Sequence, residues 1–416
     1  MAATRFVLAP LVALAVASLT AAAIVVPAGL PLNIVGARGA DSTIDGSAAW
    51  MPAPPRTTQR AVGADGTGRG GEGLFHYPSL GTQRAVAVDA DGSHRVPPGA
   101  GGAPAPPPAA DVAACVASAT ALLKNDTNRS FGGEAGATRL KALLAAAAPA
   151  LAATDGSRRG APPPLVVDVG ANAGQGLLAW RAIFPDTRVV AVEANPALAG
   201  RLLNLSRSGT PHWRGMTVIN AAVGNASAST VFRLPREARL GQLGGIWASA
   251  KRPSPERFDY VTIPMEPLDV LLSPPHTPAG LTATRRTHPI SLLKTDTEGW
   301  DIPVLAAAPR AVAAARFILW ECHRYMATEG GPRTSHAAAA ELLSAAGFEV
   351  YKLGATASLR FDGPFAVGAL DVPAYMGWHN CLALRRDDPL RAVIVGGLGV
   401  PAGCAGAYGV PVAAEV

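Results

Sequence analysis

From residue 165 onward, short apolar runs alternate with helix-type runs. Strand-type runs include LVVDV, RVVAVEA, ISLLKTD and RFILWEC, and helix-type segments such as PALAGRLLNLS and SHAAAAELLSAAG lie between them. Continuous apolar runs of this length are typical of buried parallel strands, and their alternation with helices requires crossovers that cover both faces of a sheet. The pattern predicts a doubly wound α/β domain, in which ligands bind beyond the carboxyl ends of the strands.

The N-terminal part of the chain has a different character. No residue between Arg5 and Arg38 is charged, and the run Phe6–Val26 has 21 residues, enough to span a bilayer. A signal anchor is the first interpretation, and a cleaved signal peptide or an organellar transit segment are the alternatives. Residues 38–110 are rich in Gly, Pro, Ala and Ser without apolar periodicity, which predicts a disordered stalk.

These observations predict five regions. They are a signal anchor or signal peptide at 1–37, the disordered stalk at 38–110, a helical lead-in at 111–160, the α/β domain at 161–390 and a C-terminal tail at 391–416. Four asparagines stand in N-x-S/T triplets, namely Asn125, Asn128, Asn204 and Asn225. They favour the secretory pathway. We expect a single-pass membrane protein with a lumenal domain in the Golgi or ER, with a secreted or organellar protein as the alternative.

Charge and cysteine content exclude some classes of partner. The formal net charge is +6, but the arginines are scattered and form no basic stripe with interleaved aromatic residues. We therefore expect no nucleic-acid partner. The four cysteines, at positions 115, 322, 381 and 404, are widely spaced. They show no metal-binding pattern, so no metal is expected, and their spacing does not determine a pairing.

A glycine-rich turn follows the first strand. It contains Asp168, Gly170, Asn172, Gly174 and Gly176, with the spacing G-x-x-x-G-x-G rather than the G-x-G-x-x-G of dinucleotide-binding turns. Glycine allows a sharp turn and a close approach of the backbone to a ligand. The alternative is a tight strand-to-helix connection with no ligand.

An acidic residue follows the second strand. Glu193 lies 23 residues after Gly170, where a carboxylate is placed to accept hydrogen bonds from ribose hydroxyls. It could equally cap the helix that begins near Asn195 and Pro196. Taken together, the turn and the acid predict an adenosine-type ligand, and the glycine spacing disfavours a dinucleotide.

A third group of polar residues lies in the segment LLKTDTEGWDIPVL. Lys294, Asp296 and Glu298 alternate along the end of a strand, so they share one face. A surface salt bridge between Lys294 and an acid is the alternative to a functional site. The next strand ends with Glu321 and His323, and His323 is a candidate base, a substrate contact or a packed histidine.

Several motifs together resemble a known family. The segments VVDVGANAGQG, VVAVEANP, INAAVGN, IPMEPLDVLL, LLKTDTEGWDIPVL, ILWECH and LLSAAGFEVYKL occur in the order typical of FkbM-type methyltransferases, over about residues 160–386. The resemblance implies a seven-stranded, Rossmann-like methyltransferase sheet. It also implies S-adenosylmethionine as cofactor and a hydroxyl-bearing acceptor, with a carbohydrate as one candidate.

The resemblance also implies roles for individual residues. Cofactor-binding roles fall to Asp168, Gly170, Asn172, Gly174, Glu193, Asn220, Ala221 and Asp296, and the catalytic candidates are Asp296, Glu298 and His323. A hydroxyl acceptor must lose a proton, so a general base is required, and Asp296 is favoured by its position. The sequence departs from the family pattern at Val270, where an acid is common, and in a proline-rich insertion before residue 290.

Two further functions remain open. A nucleotide-dependent oxidoreductase would share the α/β fold, but the glycine spacing and the KTDTEG segment disfavour it. A non-catalytic methyltransferase-like scaffold would keep the fold without the reaction, and an intact cofactor pocket would argue against it.

Overall fold

The computed structural model describes residues 107–125, 135–154, 163, 165–236, 245–246, 256–274, 290–322, 335–366 and 379–410. Its helices are α1 (Ala109–Asn125), α2 (Ala135–Ala146), α3 (Ala148–Thr154), α4 (Gln175–Ile183), α5 (Pro196–Arg207), α6 (Leu268–Leu271), α7 (Asp301–Ala306), α8 (Pro309–Ala314), α9 (His336–Ala345) and α10 (Arg391–Gly397). A short 3₁₀ helix covers Gly363–Phe365. The predicted N-terminal anchor and nearly all of the predicted stalk lie outside the described residues.

The strands form two sheets. In chain order they are β1 (Leu165–Val169), β2 (Arg188–Val192), β3 (Met216–Ile219), β4 (Ala222–Val223), β5 (Ala228–Pro235), β6 (Gly245–Ile246), β7 (Phe258–Glu266), β8 (Ile290–Thr295), β9 (Ala315–Glu321), β10 (Phe348–Lys352), β11 (Leu359–Arg360) and β12 (Asn380–Arg385). The large sheet has the order β11-β10-β12-β9-β8-β1-β2-β3. The mixed α/β prediction is confirmed.

The large sheet has eight strands where the resemblance implies seven. The additional strand is the two-residue β11, which pairs antiparallel with β10 at the sheet edge. From β9 to β3 all pairs are parallel, and β12 lies antiparallel between β9 and β10. β1 lies next to β8, although more than a hundred residues separate them in the chain. Of the strands between them in sequence, β2 and β3 extend the large sheet beyond β1, and β4 to β7 form the second sheet.

Both faces of the large sheet carry helices. Along β1, Val167 and Val169 pack on one face with apolar residues of α7, α8 and α9, and Val166 packs on the other with residues of α2, α4, α5 and α10. All five residues of β1 are buried, as expected for a strand covered on both sides. Because the strand is covered along its length, its side chains can face a ligand only near its end.

The second sheet is smaller, with the order β4-β7-β5-β6. Its core consists of Ala222, Phe232 and Ile263. The sequence run MTVINAAVG looks like one strand, but Asn220 and Ala221 separate β3 in the large sheet from β4 in the small one. This step brings the small sheet next to the carboxyl ends of β1 and β2.

Residues 391–410, for which the sequence predicts only a tail, are packed. Ile394, Val395 and Leu398 are buried in the core that also contains α2. Cys404 forms a disulfide with Cys115 of α1, across a sequence separation of 289 residues. A second disulfide joins Cys322, which follows β9, to Cys381 in the neighbouring β12.

The described helices do not test the predicted membrane segment, because Phe6–Val26 lies outside them. Within the described ranges, no helix combines the length and the apolar character that crossing a bilayer requires.

Candidate functional site

A cavity of about 440 Å³ lies at the carboxyl ends of β1, β2 and β8. Residues of the lead-in helix α2, of the small sheet and of β12 complete its wall. Seven of the predicted site residues line it, namely Asp168, Gly170, Asn172, Glu193, Ala221, Asp296 and Glu298. The three groups of polar residues that the sequence places after three different strands therefore meet at one cavity.

The turn after β1 bends sharply at the cavity wall. Gly170 has φ 76° and donates its N–H, like Ala171, to the carbonyl oxygen of Val192. A Cβ at Gly170 would overlap the carbonyl oxygen of Asp296, and it would lie 2.9 Å from the Asp296 carbonyl carbon. The sequence suggests a ligand as the reason for this glycine. The structure shows that the backbone of the neighbouring turn already occupies the position.

Gly174 and Gly176 have different environments from Gly170. Gly174 does not line the cavity, and a Cβ there would lie 2.8 Å from the Trp213 ring and 3.0 Å from Leu202. The backbone at Gly174 has φ 88°, so this close packing already favours glycine there, and its cofactor contact stays a prediction. A Cβ at Gly176, which does line the cavity, would have ordinary contacts at 3.6 Å or more.

Glu193 at the end of β2 joins two turns. Its Oε2 accepts the N–H of Asn172 at 2.7 Å and its Oε1 accepts the N–H of Asn195 at 2.8 Å. Burial raises the pKa of Glu193, and these two hydrogen bonds oppose the rise. The cap of α5 is Asn195, whose Oδ1 accepts from Ala197, so Glu193 does not cap that helix directly.

Asn220 supports this turn from outside the cavity. Its side-chain amide donates to the carbonyl oxygens of Glu193 at 2.8 Å and of Ala194 at 3.2 Å. It is not among the residues of the cavity wall, whereas its neighbour Ala221 is. Asn220 therefore holds the end of β2, and its implied cofactor contact stays a prediction.

Lys294 links the end of β1 to the turn after β8. Its Nζ lies 3.0 Å from Oδ1 of Asp168 and 3.4 Å from Oδ2 of Asp296. Burial lowers the pKa of Lys294, but the charges of both carboxylates outweigh it and hold the pKa above its ordinary value. Asp168 is 1% exposed, so this is a buried pair and not the surface salt bridge considered from the sequence.

Several carboxyl groups lie close together beyond β8. Burial, followed by the charges of Asp296 and Asp301, raises the pKa of Glu298 to about 7. Burial and Asp296 also raise the pKa of Asp301, to about 6. Glu321, at the end of the adjacent strand β9, is buried, and burial together with Asp296 raises its pKa far above the ordinary value. Burial and like charge therefore raise the pKa of three neighbouring carboxyl groups, Glu298, Asp301 and Glu321.

Backbone strain coincides with the cavity. Within the described segments, the non-glycine residues with left-handed backbone are Asn172, with φ 54°, and Glu298, with φ 55°. Both line the cavity. Such conformations are uncommon and are concentrated at functional sites.

The sequence did not indicate some of the wall residues. Lys141 in α2, Phe232 and Ile246 in the small sheet and Asn380 in β12 all line the cavity. No motif marks them, because only the packing of distant segments brings them there. His323, the third catalytic candidate, lies outside the described residues.

One group of potential metal ligands occurs in the described part of the chain. Atoms of Cys322, His336 and Cys381 lie within 4.8 Å of one another. The two cysteines form a disulfide, so neither offers the thiolate that metal binding requires.

Part of the chain matches a methyltransferase family model. Residues 168–350 match the family model described as the methyltransferase FkbM domain, which confirms the resemblance noted in the sequence. A crystal structure of a methyltransferase FkbM from Methylobacillus flagellatus KT is 18% identical, covers 55% of this chain and has a TM-score of 0.30. The match covers only 45% of that chain.

The crystal structure of an S-adenosylmethionine-dependent methyltransferase from Aquifex aeolicus is 11% identical to this chain in sequence. The match covers 57% of this chain and 87% of that chain, with a TM-score of 0.25. Precorrin-6y C5,15-methyltransferase from Geobacter metallireducens GS-15 is 13% identical, with 57% and 88% coverage and the same TM-score, 0.25. No curated protein gives a significant match. Because these similarities are low, the assignment depends on the family model and on the geometry of the cavity.

Proposed function

We propose, from the premise that residues 168–350 form an FkbM methyltransferase domain, that this protein binds S-adenosylmethionine in the cavity and transfers its methyl group to a hydroxyl oxygen. The observation that carries the proposal is the convergence of two groups on one cavity. Glu193 with the glycine turn supplies a nucleoside-type site, and Asp296 with Glu298 supplies acid–base chemistry beside it.

The residues of the cavity fit an adenosine-type cofactor. Each oxygen of the Glu193 carboxylate accepts one backbone N–H, so each keeps a further lone pair for a ribose hydroxyl. The two backbone hydrogen bonds also fix the orientation of the carboxylate before a ligand arrives. Such preorganisation lowers the cost of binding.

The acid group supplies the chemistry that a hydroxyl acceptor needs. Bound S-adenosylmethionine supplies an electrophilic methyl carbon on a sulfonium. Asp296 is held by Lys294, whose Nζ lies 3.4 Å from its Oδ2, and this contact suits an orienting role. Glu298, with a pKa of about 7, is poised to accept the hydroxyl proton on a carboxylate oxygen near neutral pH. We therefore assign proton removal to Glu298 and orientation of the acceptor to Asp296.

Calorimetric titration of the full chain with S-adenosylhomocysteine tests the proposal. We expect saturable binding that Glu193→Gln weakens by about tenfold or more, because a charged hydrogen-bond acceptor is lost. Glu341→Gln, at an exposed position of α9, is the matched control and should bind as the wild type does. No binding by folded protein would favour the scaffold alternative, and binding of NADH in its place would favour the oxidoreductase.

The acceptor class requires a separate assay. Transfer of a radiolabelled methyl group to a panel of mono- and oligosaccharides would identify a carbohydrate acceptor. A methyl ether on oxygen resists alkali, whereas a methyl ester is hydrolysed. Alkali-labile products would contradict transfer to a hydroxyl.

We also propose that the domain resides in the secretory pathway, held by the N-terminal apolar segment. The two disulfides support this location, since they persist in oxidising compartments. Asn204 and Asn225 are exposed, as glycan acceptors must be. For protein made in a secretory host, we expect a glycosidase to lower the mass, and we expect Asn204→Gln and Asn225→Gln each to carry less glycan. A mass equal to that of the unmodified chain would contradict this location.

A further inference from the structure

Helix α2 contributes a charged residue to the cavity from outside the matched domain. Lys141 lies before residue 168, yet it lines the same cavity as the glycine turn. α2 packs against α4, and Leu140 and Leu144 of α2 are fully buried, so the helix has a fixed position. A residue that the family model does not include is therefore part of the site.

The side chain of Lys141 is held in place by an aromatic ring. Its Nζ lies 5.3 Å from the centroid of the Trp180 ring in α4, a distance typical of a cation–π contact. Trp180 is 1% exposed and also lines the cavity. Its indole Nε1 is buried, and it has no hydrogen-bond partner among the described residues.

Four residues define this part of the cavity, which we call the Trp180 corner: Lys141, Asp168, Gly176 and Trp180. A Cβ at Gly176 would lie 3.6 Å from Oδ2 of Asp168 and 3.7 Å from Nε1 of Trp180. Asp168 feels the charge of Lys141, while its Oδ1 is bonded to Lys294. The corner thus places one cation and one carboxylate near each other beside the glycine turn.

Two lysines, Lys141 and Lys294, lie on the cavity wall. The ammonium of Lys294 lies between two carboxylates, Asp168 and Asp296. Lys141 lies on helix α2 and is only partly buried. An ammonium held at a cavity wall beside a buried N–H favours an anionic group of a ligand, and a carboxylate oxygen on the same wall favours a cationic group.

We propose that Lys141 binds the α-carboxylate of the amino-acid end of the cofactor. This inference depends on the proposed function, because it assigns the cofactor's zwitterionic end to the Trp180 corner. It makes the lead-in helix a part of the cofactor site.

Two ligands separate this role from a structural one. S-adenosylhomocysteine carries the amino-acid end, whereas 5′-methylthioadenosine has the same nucleoside and thioether without it. Lys141→Met removes the charge and keeps an apolar stem of similar length against Trp180. We expect Lys141→Met to bind S-adenosylhomocysteine about tenfold to a hundredfold more weakly and 5′-methylthioadenosine as well as the wild type does.

Two further variants complete the experiment. Lys141→Arg keeps the charge and should retain most of the affinity for S-adenosylhomocysteine. Arg201→Met, at an exposed position of α5 outside the cavity, should change neither affinity. The measurement is calorimetric titration, with circular dichroism as the check of folding.

Each other outcome overturns the inference in a recognisable way. Equal losses for both ligands in Lys141→Met would mean that the residue only supports the fold around Trp180. Unchanged affinity for both would mean that Lys141 does not contact the ligand. If the wild type binds neither ligand, the proposed function itself fails, and the inference fails with it.

Discussion

Replacing Gly170 by alanine tests whether this glycine is required by the protein itself. The added Cβ would overlap the carbonyl oxygen of Asp296 and lie 2.9 Å from its carbonyl carbon, inside the 3.0 Å that real Cβ atoms essentially never cross. The Asp296 backbone cannot move aside freely, because its N–H donates to Val169 at 2.9 Å. Alanine at φ 76° is also strained.

The expected cost follows from these two effects. A left-handed conformation costs an L-residue about 1–2 kcal/mol, and overpacking a well-packed position costs about 1–3 kcal/mol. We therefore expect Gly170→Ala to lower the free energy of unfolding by about 2–5 kcal/mol. Urea denaturation of the oxidised protein without ligand measures this loss independently of cofactor binding.

Gly176→Ala is the matched control. Gly176 belongs to the same glycine turn, but its backbone is not left-handed and a Cβ there would have only ordinary contacts. Its free energy of unfolding should stay within about 0.5 kcal/mol of the wild type. If Gly170→Ala were as stable as Gly176→Ala, the close approach of the two turns would not be the reason for the glycine. Loss of ligand binding in Gly170→Ala alone would not distinguish a clash with Asp296 from a clash with the ligand.

Two more predictions concern charge and cross-linking. The carboxyl of Glu298 ionises near its ordinary 4.5 in the unfolded chain and at about 7 in the folded one, so folding becomes less favourable as pH rises through that interval. Urea denaturation should therefore show that Glu298→Gln gains stability relative to the wild type as the pH rises from about 4 to about 8. The kcat of Glu298→Gln should also lack the rise near pH 7. A stability difference that does not change with pH would contradict the raised pKa. Replacing Cys115 and Cys404 together by serine should lower the free energy of unfolding by about 2–5 kcal/mol under oxidising conditions, and an unchanged urea midpoint would contradict a stabilising role for that disulfide.

The large sheet could be predicted from the sequence because its signals are local. Strands such as LVVDV are almost entirely apolar, since both faces of the sheet are covered, and helix-type runs separate them. The small sheet could not be foreseen in the same way. In β7 only Ile263 is buried, and the other residues are half-buried or exposed. No local sequence signal shows that β7 pairs with β5 and β4 instead of joining the large sheet.

The site was partly predictable for a related reason. Asp168, Glu193 and Asp296 follow apolar runs, and the carboxyl ends of parallel strands meet at one edge, so their convergence can be expected from order alone. Gly174 and Asn220 have the same motif context, but the sequence does not show that Gly174 packs against Trp213 and Leu202 or that Asn220 bonds to Glu193. Which motif residues contact a ligand depends on the tertiary neighbours of each.

The order of the strands has a consequence for synthesis of the chain. The cavity wall runs from Ala137 to Asn380, and β12, which carries Asn380, lies between β9 and β10. A nascent chain that still lacks β12 cannot complete the cavity wall. Ligand binding would then add stability only after nearly the whole domain has left the ribosome. The cofactor would therefore stabilise chains that carry the whole cavity wall and not shorter ones.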